Sequence, residues 1–131
     1  MGARGDASYR AHLEMVRLAQ AAGLGVFGIR PFAAGSLTAA VDRALPAEHP
    51  VVRDFALAQQ HLGFLATETA SPLSVAAMRY ALSLPGVSTV VTGAKNRTEL
   101  AETVAAVAAG PLPAATMERI ATLQRTVLAR Q

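Results

Sequence analysis

Residues 87–99, VSTVVTGAKNRTE, contain the clearest indication of the fold in this chain of 131 residues. The run 87–91 is rich in β-branched residues, which is typical of a strand, and Gly93 ends it. Asn96 followed by Glu99 has the spacing of a capping box, so a helix is predicted to begin there, with Leu100, Val104 and Val107 facing inward. A strand that leads through a glycine turn into a capped helix is a building block of parallel α/β folds.

A similar unit precedes it. A helix is predicted from Tyr9 to Ala22, with an apolar stripe of Ala11, Met15, Leu18 and Ala22, and Gly23 is placed to cap its end. The apolar run 24–29, LGVFGI, then predicts a second strand. Because this run does not alternate polar and apolar residues, we expect both faces of the strand to be covered. The small residues 33–36 follow it, at the end of a strand where α/β proteins bind ligands.

Three further helices are predicted. They cover residues 51–65, residues 72–84 after a start at Ser71-Pro72, and residues 114–129, the last burying Ile120, Leu123 and Val127. The alternation of strands and helices predicts parallel pairing, yet only two strands are visible. Two strands leave both sheet edges open, so the chain is expected to be part of a larger architecture. Residues 1–8 are predicted to be a disordered tail.

Composition excludes several classes of protein. Hydrophobic residues make up 52% of the chain and charged residues 16%, which argues against intrinsic disorder. Twelve basic and nine acidic residues are scattered, without interleaved aromatics, so no nucleic-acid partner is predicted. The chain has no apolar stretch typical of a signal peptide or a membrane span, and with no cysteine a cytoplasmic location is expected. Single histidines at 12, 49 and 61 have no ligand spacing, so no metal is predicted.

Two segments are candidates for ligand binding. At the turn before the capped helix, Lys95 and Arg97 could join backbone N–H groups in holding an anion such as a phosphate. The alternative is an ordinary capped helix whose Lys and Arg side chains are solvated. In the segment 30–37, RPFAAGSL, small residues allow backbone amides to come close to a ligand, and the alternative there is a plain loop.

Taken together, residues 25–35 and 77–102 resemble the end of an aldo-keto reductase. The first block is similar to the family's seventh barrel strand and the loop after it, and the second to its seventh helix, eighth strand and eighth helix. The resemblance covers about residues 9–128. It implies an α/β fold that is a partial TIM (β/α)8 barrel, namely the last two strand–helix units and a C-terminal helix. Residues 9–131 would form this partial barrel, with loops that bind the cofactor phosphates.

The resemblance also implies that the chain binds NADPH. Ile29 would stack on the nicotinamide, and the turn 93–97 would hold the 2′-phosphate. The full set of cofactor-binding residues that the resemblance implies is Ile29, Arg30, Phe32, Ala34, Gly35, Gly93, Ala94, Lys95, Asn96, Arg97 and Glu102. Arg30, Phe32, Ala34 and Gly35 match the loop along the pyrophosphate, and Glu102 matches a glutamate near the adenine. Gly93, Glu99 and Thr103 depart from the family pattern, which leaves the preference between NADP and NAD open.

The family's catalytic Asp, Tyr, Lys and His belong to earlier strands, upstream of the matched residues, so no catalytic residue is predicted. Tyr80 lies on an apolar helical stripe and Lys95 in the phosphate turn. The leading interpretation is a truncated relative that supplies the cofactor-binding part of an oxidoreductase acting on aldehydes or ketones and is inactive alone. One alternative is a non-catalytic module whose sheet is completed by a missing N-terminal barrel half or a second copy. Another is a phosphate-ligand binder unrelated to reductases.

Overall fold

The computed structural model describes the backbone of residues 3–126 and the side chains of residues 11–126. Helices and two short strands alternate along this part of the chain. In chain order they are α1 (Ala3–Ala21), β1 (Phe27–Ile29), α2 (Pro50–Leu62), α3 (Phe64–Thr69), α4 (Leu73–Ser83), β2 (Thr89–Val91), α5 (Arg97–Ala109) and α6 (Ala114–Thr126).

The two strands form a parallel pair, as predicted. Phe27 pairs with Thr89 and Ile29 with Val91. One residue before the paired segments, Ser88 donates its backbone N–H to the Val26 carbonyl at 2.9 Å. The Val26 N–H in turn donates to the Ser88 hydroxyl at 3.1 Å. Residues 24–26 and 87–88, which were predicted to extend the strands, lie outside them.

Two helix boundaries differ from the prediction. Helix α1 begins at Ala3, so residues 3–8 are helical and the prediction of a disordered tail is wrong for them. Ala3 and Ala7 favour this extension of the helix toward the N-terminus, whereas Gly5 opposes it. Residues 1–2 of that tail lie outside the described residues. The helix predicted over 51–65 is divided at Gly63 into α2 and α3, which fits the low helix propensity of glycine.

Helix α4 is the centre of the packing. Its residues 73–78 are all buried, with Ala76 fully inaccessible to solvent. One face of α4 meets a cluster formed with α2, α3 and α6; the buried members of this cluster are Ala58, Leu65, Leu73, Ala76, Leu112 and Ile120. On another face Val75 and Met78 pack with Ala106 of α5 and with the partly buried Val90 of β2. Helix α4 therefore joins the helical core to the inner face of the sheet.

The outer face of the sheet is bare, and the prediction that both faces are covered is wrong. Successive side chains of a strand point to opposite faces. Val90 points toward α4 and α5, whereas Phe27, Ile29 and Val91 are 68%, 70% and 54% exposed. No helix among the described residues packs over this second face to continue the core. We call the surface formed by Phe27, Ile29 and Val91 the open face.

Two predicted inward stripes are also exposed. Met15 and Leu18 of α1 are more than half exposed, and so are Leu100, Val104 and Val107 of α5. The small residue Ala106, rather than that stripe, makes the buried contact of α5. The periodicity therefore identified an apolar side of each helix, but this part of the chain supplies no partner for it. Of the stripe predicted for the last helix, Ile120 is buried, Leu123 is half-buried and Val127 lies outside the described residues.

Within residues 3–126, no single helix has the length and apolar character needed to cross a membrane. Only α5 and α6 considered as a pair, with a bend of 115° between them, meet those criteria.

Candidate functional site

A cleft of about 890 Å³ lies at the carboxyl ends of β1 and β2. Because the strands are parallel and Ile29 is in register with Val91, both strands end at the same edge of the sheet. The wall comes from the segment after β1, the start of α4, the turn after β2 and the first half of α5. Its volume is within the usual range for small-molecule sites.

Most of the residues implied by the resemblance line this cleft. They are Ile29, Arg30, Phe32, Ala34, Gly35, Gly93, Lys95 and Glu102. Ala94, Asn96 and Arg97 do not line it. The Asn96 side chain serves instead as the N-cap of α5, where its Oδ1 accepts from the Glu99 N–H at 2.9 Å, and Arg97 is the first residue of that helix.

The segment after β1 has an unusual backbone. Arg30, Ala33 and Ala34 have φ values of 57°, 47° and 60°, in the left-handed region that non-glycine residues rarely adopt. Each such residue carries a strain of about 1–3 kcal/mol, which the surrounding contacts must offset. The fully buried Ser36 contributes by donating its hydroxyl to the Val51 carbonyl of α2 at 3.3 Å. Arg43 also donates to the Ala34 carbonyl at 3.0 Å, so the segment is fixed on both sides.

The turn after β2 is held by an Asn–Glu capping arrangement. The predicted cap at Asn96 is confirmed. The Glu99 carboxylate returns to the turn, where its Oε2 accepts from the Lys95 N–H at 2.7 Å and its Oε1 from the Asn96 side-chain amide at 3.3 Å. The Glu99 carboxylate therefore already accepts from the Lys95 backbone N–H, to which an incoming anion would otherwise bind.

Lys95 is ion-paired, although its side chain is largely exposed to solvent. Its Nζ pairs with Asp42, which lies on the long segment between β1 and α2, and is 3.8 Å from Glu99 Oε1. Both side chains of the Lys95–Asp42 pair are more than half exposed, so the pair contributes little to stability. It nevertheless links the two candidate ligand-binding segments across the cleft. A bound anion would have to share Lys95 with Asp42 or displace it.

The cleft also contains a side-chain hydrogen bond that the sequence did not indicate, between Glu102 and a residue that was not predicted, Ser74. Ser74, near the start of α4, donates its hydroxyl to Glu102 Oε2 on α5 at 2.5 Å. Both residues line the cleft, and Ser74 is only 8% exposed. The pair joins positions separated by 28 residues, and no local spacing rule connects such positions.

Other polar residues lie elsewhere. The Tyr80 hydroxyl accepts from Gln124 at 3.2 Å, and its ring packs on the helical core, as predicted from its place on an apolar stripe. His49 caps α2 by accepting from the Val51 N–H at 3.2 Å. No three His, Cys, Asp or Glu side chains among the described residues are grouped to hold a metal ion. The residues that line the cleft supply cations, carboxylates, small side chains and an apolar surface, but neither a tyrosine nor a histidine.

Comparison with known proteins gives one family. The model of the aldo/keto reductase family matches residues 7–125, which is most of the chain. A search of curated proteins gave no match.

Proposed function

Because the chain belongs to the aldo/keto reductase family, we propose that it supplies the NADPH-binding part of an oxidoreductase that reduces aldehydes or ketones. The family is one of TIM barrels, and we propose that the two parallel strand–helix units here are the last two of a (β/α)8 barrel. The observation that carries this proposal is the cleft at the carboxyl ends of β1 and β2. Ligands of α/β barrels bind at that end of the strands.

The residues of the cleft suit the parts of a dinucleotide. Ile29 presents an exposed apolar side chain at the end of β1, suited to the face of a nicotinamide ring. Arg30 and Arg43, with the small residues of 33–35, suit the pyrophosphate. Lys95, which lines the cleft, would hold the 2′-phosphate together with Arg97, which lies outside the lining at the start of α5. Gly93, Ala94 and Asn96 would form the turn, and Glu102 would face the adenosine. When bound, the cofactor would supply the hydride for carbonyl reduction.

We propose that the chain does not reduce carbonyls alone. A proton donor for this chemistry is a side chain such as tyrosine whose pKa is lowered by a neighbouring cation. The described residues that line the cleft contain no such group. The proton-transfer residues would therefore come from the polypeptide that completes the barrel.

We place the protein in the cytoplasm in this proposal, since it contains no cysteine that a disulfide would need.

The test is a titration of the full chain with NADPH, followed by nicotinamide fluorescence. We expect saturable binding that is at least tenfold weaker in the Lys95→Ala, Arg97→Ala double variant, since each removed cation weakens a charge-assisted bond to phosphate. An Arg119→Ala, Arg125→Ala double variant on α6 makes the same charge change away from the cleft and should bind as the wild type does. Equal NADPH affinities in all three proteins would contradict the proposed phosphate site. Binding of inorganic phosphate without any nicotinamide preference would favour the unrelated phosphate binder.

A second candidate function is favoured by the open face. Three large apolar side chains, Phe27, Ile29 and Val91, lie together on one side of two strands that each have an unpaired edge. A non-catalytic assembly module would cover this surface with a missing N-terminal barrel half or with a second copy of the chain. Light scattering after size-exclusion chromatography distinguishes the two functions. A stable complex that binds no NADPH would favour the assembly module.

A further inference from the structure

Ser74 and Glu102 form a side-chain pair inside the cleft. Ser74 is the second residue of α4, and its hydroxyl donates to Glu102 Oε2 at 2.5 Å. Ser74 is buried, whereas Glu102 is half-buried and lies in the first half of α5. Helices α4 and α5 pack against each other through Val75, Met78 and Ala106, so both ends of the hydrogen bond are attached to rigid elements.

The bond fixes one oxygen of the carboxylate. An unrestrained glutamate side chain has three rotatable torsions and loses rotamer freedom when it is ordered. Ser74 holds Oε2 in advance, and Oε1, which is not part of this bond, keeps its capacity to accept from a ligand. A carboxylate ordered before binding loses less entropy when the ligand arrives.

The charge of Glu102 restricts what it can face. An ionised carboxylate only accepts hydrogen bonds and repels phosphate oxygens. In a dinucleotide its partner must therefore be a neutral donor, such as the base amino group, the carboxamide or a ribose hydroxyl. Glu102 follows Glu99 by about one helical turn, and Glu99 bonds to the turn proposed for the adenosine phosphate. The neutral donors nearest to that position belong to the adenosine half.

We infer that Ser74 is a positioning residue, which orients Glu102 so that its free oxygen accepts from the amino group of the purine base. This inference rests on the proposed function, because it assumes that the cleft holds the dinucleotide. Ser74 lines the cleft, but it is buried and its hydroxyl proton is already donated to Glu102, so it would act through that carboxylate. Its contribution would be selectivity for a base that carries an amino group.

The test compares NADPH with its hypoxanthine analogue, in which oxygen replaces the amino group. We expect the wild-type chain to bind NADPH about tenfold more tightly than the analogue, which is the effect of one hydrogen bond to a charged group. Ser74→Ala should reduce this ratio to about twofold or less, because Glu102 is no longer held. Ser74→Thr keeps the hydroxyl and should retain most of the preference. Circular dichroism melts of all proteins show whether the fold is retained.

Glu102→Gln examines the same interaction from the other side and should also lower the ratio. If Ser74 acts only through Glu102, the Ser74→Ala, Glu102→Gln double variant should show the same preference for NADPH over the analogue as Glu102→Gln alone. A folded Ser74→Ala protein, or Glu102→Gln protein, that keeps the full preference would overturn the inference while leaving the proposed function intact. Failure of the wild type to bind NADPH at all would overturn the proposed function, and the inference with it.

Discussion

Helix α4 and the sheet both have apolar sequences, but α4 is buried and one face of the sheet is exposed. Residues 73–78 of α4 are buried and contribute side chains to both hydrophobic clusters, whereas Phe27 and Ile29 of β1 remain mostly exposed. Both segments are apolar, and they differ in the number of elements that surround them. An apolar sequence therefore indicates that a surface should be buried, but it does not indicate whether residues of the same chain bury it. This contrast supports our proposal that the molecule is one part of a larger barrel.

The largest expected effect is on the free energy of unfolding, and it is expected at the buried residues of α4. Met78→Ala removes a side chain that is 2% exposed and leaves a cavity between α4 and α5. We expect the free energy of unfolding to fall by about 2–5 kcal/mol. Ile29→Ala on the open face should change it by less than about 0.5 kcal/mol. Urea denaturation of both variants measures the difference, and similar losses would mean that the open face is packed in solution.

Association through the open face is the next largest expected effect. An exposed cluster of three large apolar side chains should promote self-association of the isolated chain. Replacing Ile29 and Val91 together by lysine places two like charges on this surface, so we expect the associated fraction at fixed concentration to fall by at least half. Light scattering gives the mass of each species. A Leu100→Lys, Val104→Lys variant of α5 serves as control, and an equal response would assign association to exposed apolar surface in general.

A smaller effect is expected within the cleft. Glu99→Gln keeps an acceptor for the Lys95 N–H but removes a negative charge from the turn proposed for the 2′-phosphate. We expect NADPH affinity to rise about five- to tenfold, corresponding to roughly 1 kcal/mol for a partly solvated charge, with NADH affinity unchanged. Glu118→Gln on α6 makes the same change in net charge and should leave the affinities for NADPH and NADH unchanged. A parallel rise for NADH would show that Glu99 does not act on the phosphate.

The smallest effect is expected at the cap of α5. Asn96→Ala removes the acceptor for the Glu99 N–H and should lower the free energy of unfolding by about 1 kcal/mol. Asn96→Ser should restore most of it, because serine is a comparable N-cap. Thermal or urea unfolding measures both variants. A loss as large as that of Met78→Ala would place α5 in the cooperative core rather than at its margin.

Local patterns predicted the elements of the fold well. The β-branched residues before Gly93, the Asn96–Glu99 spacing and Gly23 after α1 each depend on contacts within a few residues, and these are read directly from sequence. The position of the cleft followed from the parallel pairing, because the carboxyl ends of the two strands then meet. What a face packs against depends on distant parts of the chain, so the exposed side of β1 was not predictable from its composition.

The details of the site were less predictable for the same reason. The Lys95–Asp42 and Ser74–Glu102 pairs join residues that are far apart in sequence and follow no helical or strand period. The left-handed backbone of Arg30, Ala33 and Ala34 is imposed by tertiary contacts, such as that of Ser36 with α2, and none of these residue types favours it. Sequence thus located the segments that meet, whereas the folded chain determined which charges are already paired.

The reciprocal bonds between Val26 and Ser88 also have a consequence for the order of folding. They join residues separated by 62 positions, so the sheet closes a loop that contains α2, α3 and α4. Closing so long a loop is entropically unfavourable until the helices within it have compacted. We therefore expect the strand amides to exchange with deuterium earlier than those of α4, and the cleft to assemble last during refolding.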